Sequence, residues 1–60
     1  MEVVVVGIEH KRLAEELRRR GVKVAVVPGN ALIVYRFGHR SGFQELDGPA
    51  AELYISQLVQ

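Results

Sequence analysis

The sequence predicts a small α/β domain, with α+β as its variant, in which a mixed sheet carries two helices packed on one face in the order β-α-β-β-(β)-α. Three observations predict it: an unbroken apolar run near the start, a switch to helical periodicity directly after it, and two β-branched segments separated by Pro28 and Gly29. The chain has 60 residues and reads as a single domain spanning 1–60.

The run Val3 to Val6, ended by Gly7, is apolar at every position. That pattern belongs to a strand covered on both faces, as in a parallel pair. From Glu9 to Arg20 the period changes. His10, Leu13, Ala14 and Leu17 follow the i, i+3, i+4, i+7 spacing of one helical face, and Gly21 stops the helix as a C′ glycine. "VKVAVV" and "NALIVYRF" read as two further strands, and Pro followed by Gly between them suits a type II turn, so these two are expected to pair as a hairpin beside the first strand. "FQEL", Phe43 to Leu46, reads either as a short fourth strand or as an irregular connection. Asp47, Gly48 and Pro49 look like a helix start. The last helix then presents Ala51, Tyr54, Ile55 and Leu58 to the core and Leu53 to the opposite side.

Composition narrows the function classes. A chain of this size buries only about 60% of the surface its unfolded form exposes, and small folds commonly add a disulfide, a metal or a partner. Cysteine is absent, the imidazoles are His10 and His39, and no cofactor or metal motif is present. Hydrophobic residues make up 48% of the chain, more than so small a domain hides easily, which points to homo-oligomerisation, as a dimer or higher. One sheet face is expected to stay open. Candidate contact residues are Ile33 and Val34 on the sheet and Leu53 on the last helix.

The net charge is +1, so any argument from charge must be local. The longest apolar run is far shorter than the roughly 20 residues that span a bilayer, and a soluble, cytoplasmic protein without a membrane partner is expected. The lack of cysteine, a single Asn and arginine-rich ion-pair spacing would suit a thermophile.

Two local features invite a binding role. Arg18 to Arg20 could meet nucleic acid, although Lys11–Glu15, Arg12–Glu16, Glu15–Arg19 and Glu16–Arg20 all stand at the i, i+4 spacing of self-paired helical charges. The stretch "FGHRSGF" sets Phe37 and Phe43 around Gly38, His39, Arg40, Ser41 and Gly42, which suits either a turn or an anion nest. Alternating strand directions bring both features to one end of the domain. The resulting candidate for nucleic acid or another polyanion is a basic pole of Arg18, Arg19, Arg20, Lys23, Arg36, His39, Arg40 and Ser41, with Glu9, His10, Asn30, Asp47 and Glu45 expected towards the other end.

Catalysis finds little support. Ser41 and Ser56 sit in no nucleophile motif, and Glu9, His10 and Asp47 fall short of a metal or acid-base set. The βαββα order is similar to cores of the thioredoxin type and to several nuclease cores, whose CxxC and acidic-lysine constellations this chain does not carry. No residue roles follow from that likeness.

Overall fold

The computed structural model describes residues 1–39 and 42–60, with His39 described by its backbone alone. Strand β1 (Glu2–Gly7) leads through one 3-10 turn (Ile8–His10) into helix α1 (Lys11–Arg19). Strands β2 (Lys23–Val27), β3 (Leu32–His39) and β4 (Gly42–Asp47) follow, and helix α2 (Gly48–Leu58) closes the order. The four strands form one mixed sheet with both helices on the same face, and "FQEL" lies within a strand.

The strand order corrects one expectation. Strands β2 and β3 do not form a hairpin: the order is β2-β1-β3-β4, with β1 parallel to β2 and antiparallel to β3. The hairpin of this fold joins β3 to β4. Placing β1 in the middle gives the most apolar strand ladder partners on both edges, and the Pro28–Ala31 connection must then cross over its carboxyl end. Two backbone bonds fasten that crossing: the Gly7 N–H donates to the Ala31 carbonyl at 2.7 Å, and the Glu9 N–H to the Gly29 carbonyl at 3.0 Å.

Helix α1 ends as its sequence indicates. The Val22 N–H bonds to the Leu17 carbonyl and the Gly21 N–H to the Arg18 carbonyl, both at 3.0 Å, which is the Schellman arrangement. Gly21 takes φ +84°, a left-handed conformation that any other residue reaches only under strain. Val22 then packs against the core beside Leu17.

The core comprises Val4, Val6, Ala14, Leu17, Val34, Ala51 and Ile55, and the predicted stripes of both helices supply four of the seven. Val34 is therefore not a surface contact residue. Its register with Val4 turns it towards the helices, where it is fully buried, and alternation leaves Ile33 on the other face. Leu53 is 64% exposed on the far side of α2.

Gly7 provides the sharpest stability test. A Cβ there would lie 2.2 Å from the Gly29 carbonyl oxygen and 2.6 Å from the Ala31 nitrogen, both backbone atoms that cannot swing aside. Gly7→Ala should lower the unfolding free energy by about 3 kcal/mol or more, in the range of severe backbone and overpacking lesions. Urea denaturation monitored by circular dichroism measures this; a loss under about 1 kcal/mol would show that the crossing yields easily.

Candidate functional site

The helix-free face of the sheet is the largest feature the fold leaves unused. Cross-strand register arranges it in rows. One row runs Lys23, Val3, Tyr35, Glu45 across β2, β1, β3 and β4, and the next runs Ala25, Val5, Ile33, Asp47. Beyond the first row, Phe37 and Phe43 form a cross-strand pair. The rings of Tyr35, Phe37 and Phe43 cluster with centroids 5.8–6.4 Å apart, within the range of favourable aromatic pairing.

Phe43 is nevertheless 57% exposed, and among the described residues no helix or loop packs over this face. Strand spacings of about 4.8 Å and same-face steps of about 6.8 Å make it about 300 Å² in projection. Its apolar centre is bounded by Lys23, Glu45 and Asp47, on a chain whose whole accessible surface is 4232 Å². Of the expected contact residues, Ile33 lies on this face. Val3, Val5, Tyr35, Phe37 and Phe43 join it, and the alternation of Ile33, Tyr35 and Phe37 along β3 was the signal that could have found Tyr35 and Phe37 with it.

The basic pole is less open than its sequence suggests. Arg18, Arg19, Arg20 and Lys23 do share one end of the molecule with the amino terminus. Glu16, however, takes Arg19 at 2.6 Å and Arg20 at 2.9 Å through its two carboxylate oxygens. Both hydrogen bonds, Arg19's being the stronger influence, hold the Glu16 carboxyl below its ordinary pKa. Arg20 also donates to the Gln60 carbonyl at 3.2 Å, and Arg18 to the Val24 carbonyl of strand β2 at 3.4 Å. Among the described residues the expected pairs Lys11–Glu15, Arg12–Glu16 and Glu15–Arg19 show no contact of ion-pair length. Arg40 and Ser41 lie outside the described residues, as does the His39 side chain.

Arg36 shares that end, one step beyond the row of Lys23 and Val3 in the sheet register, and is engaged there. It lies on the helix side of the sheet, its guanidinium 5.3 Å from the centroid of the Tyr54 ring and its Nη1 3.4 Å from Gln44 Oε1. The Tyr54 hydroxyl donates to the Glu2 carboxylate, and Glu2 is the cross-strand neighbour of Arg36. Three residues far apart in sequence thus close one end of the core with a cation–π contact and a charge-assisted bond.

Open depressions lie at both ends of the molecule. One, of ≈560 Å³, is lined by Met1, Glu2, Arg20, Gly21, Val22, Lys23 and Leu58, and so carries both signs of charge. The other, of ≈380 Å³, gathers His10, Asn30, Leu32, Gly48 and Glu52 at the opposite end. Among the described residues no three acidic or imidazole groups are placed to hold a metal ion. Among the described residues no helix is long and apolar enough to cross a membrane. Comparison with family models, curated proteins and solved structures finds no match for the chain, so the functional reading rests on geometry.

The Tyr54–Glu2 bond predicts a pH dependence. The bond to Glu2, burial, and the Glu2 charge together push the Tyr54 hydroxyl above its ordinary value. A folded pKa raised above the unfolded one gives stability that is complete below the unfolded pKa of about 10 and lost as pH rises through the folded value. Tyr54→Phe should therefore cost about 1 kcal/mol near neutrality, the worth of a partly exposed charge-assisted bond. The gap between the two proteins should narrow above about pH 10. Denaturant melts of both proteins from pH 7 to 11 would show it, and a gap that stays constant to pH 11 would count against the bond.

Proposed function

We propose that this chain is a small interaction module that homo-oligomerises through the helix-free face of its sheet. The observation that carries the reading is the contiguous apolar surface of Val3, Val5, Ile33 and Tyr35 with the exposed ring of Phe43, in a chain without cysteine to staple a core this small. Helices α1 and α2 cover one face of the sheet, and Val3, Val5, Ile33 and Tyr35 form the centre of the other. The outer side of α2 is the weaker candidate, since Leu53 stands among Glu52, Ser56 and Gln57 rather than in an apolar patch.

Binding of nucleic acid or another polyanion at the basic end stands second. It is favoured by the shared position of Arg18, Arg19, Arg20 and Lys23, and weakened by the engagement of Glu16 with two of these arginines. Affinity for a single-stranded oligonucleotide at low salt, falling steeply as salt rises, would support it; no binding at low salt would remove it.

A charge placed on each surface separates the two versions of self-association. Ile33→Lys should raise the dissociation constant of the assembly about a hundredfold or more, because it buries an unpaired ammonium in the contact. Leu53→Lys should leave the constant within about threefold, as a surface change does. Sedimentation velocity at matched concentrations reads both, with circular dichroism reporting the fold. Dissociation by Leu53→Lys and not by Ile33→Lys would move the interface to the helix.

A further inference from the structure

The charges at the rim of the open face say how a second copy would lie on it. Lys23 and Glu45 occupy opposite ends of the same cross-strand row, separated by Val3 and Tyr35. Both are exposed. Their sequence neighbours Val24 and Leu46 pack into the core, so Lys23 and Glu45 project from the helix-free side.

A closed pair of identical faces needs a two-fold axis, and two directions within the sheet plane keep the strands of the two copies aligned. An axis perpendicular to the strands lays β2 over β2 and β4 over β4. Glu45 and Asp47 then meet the same carboxylates of the copy, and like charges oppose each other at the rim. An axis parallel to the strands exchanges β2 with β4 and β1 with β3 while keeping each row at its own level. Lys23 then faces Glu45 of the second copy, and Glu45 faces its Lys23. In the same arrangement Val3 meets Tyr35, Val5 meets Ile33, and both apolar rows close on themselves.

We infer that the occupant of the open face is a second copy of this chain, related by a two-fold axis along the strands and registered by two reciprocal Lys23–Glu45 ion pairs. The inference rests on the sheet-face reading of self-association and adds its geometry. Aligned sheets stack about 10 Å apart with strand directions within about 30°, an offset the long Lys23 and Glu45 side chains can bridge. The exposed corner of Phe37 and Phe43 comes to lie over the corner where the copy enters β2 through Gly21 and Val22, so the bulkiest corner meets the one with the smallest side chain. The pairs sit at the rim, where charges select partner and orientation more than they supply affinity.

Because the chain has no native cysteine, crosslinking tests this directly. Lys23→Cys and Glu45→Cys are made as separate full-length variants, their native mass is measured, and each is treated with a short bismaleimide alone and after mixing. In associated samples the expected result is covalent dimer in the mixture, at least about fivefold more than in either variant alone. Linkage of Lys23→Cys to itself, or equal linkage in all three samples, overturns the inference while leaving sheet-face association standing. A purely monomeric native chain removes the underlying reading and this one with it. Charge reversal gives a second readout that needs no crosslinker. Lys23→Glu should weaken association about tenfold, since two attractive contacts per dimer become repulsive, and Lys23→Glu with Glu45→Lys should restore it to within about threefold. No weakening by the single reversal overturns the inference as well.

Discussion

The Gly29 carbonyl lies where a side chain at position 7 would begin, and the arrangement of the sheet depends on that contact. The connection from β2 to β3 must pass across the end of β1, and it can do so closely only because Gly7 presents bare backbone. Its two hydrogen bonds then hold β1 between β2 and β3. With β1 in the centre, Val4 and Val6 meet Leu17 and Ile55 under both helices, while Val3 and Val5 become the middle of the opposite face. A hairpin of β2 with β3 would instead have left the four valines at an edge.

From that placement follows an imbalance between the two sides of the sheet. The helix side is closed at one end by Glu2, Tyr54 and Arg36 and filled by seven buried apolar residues. Among the described residues the other side has no helix, yet the side chains at its centre, Val3, Val5, Ile33 and Tyr35, are apolar or aromatic. Its charges stand at the margins, Lys23 on β2 and Glu45 with Asp47 on β4. An apolar centre with a polar rim is the anatomy of an association surface. Elsewhere Glu16 holds two arginines, and Arg18 donates to a carbonyl of the outer strand.

The elements of this fold were legible in the sequence because each is a local pattern: the valine run, the spacing of Leu13, Ala14 and Leu17, the glycine after Arg20, the proline opening the last helix. The strand order was not, since Pro28 and Gly29 have the same local appearance in a hairpin loop and in a loop that crosses a third strand. Only the approach of Gly29 to Gly7, 22 positions earlier, distinguishes the two. Period-two alternation separated Ile33 from Val34 but did not say which of them the helices would cover. The Tyr54–Glu2 bond joins residues 52 positions apart, and no spacing rule announces it. Arg36 does lie at the basic end, but nothing in its spacing announces that its guanidinium packs against the Tyr54 ring there.

If the second layer of the core is supplied by another copy, folding and association are linked, and thermal stability must depend on protein concentration. The decisive measurement is the unfolding midpoint of the native chain over a thousandfold range of concentration, by circular dichroism at the dilute end and calorimetry at the concentrated end. A dimer of 60-residue chains should gain about 10 °C or more across that range, given about 2 cal/mol/K of unfolding entropy per residue. A midpoint that does not move with concentration would mean that one copy stabilises itself, and would contradict the shared core.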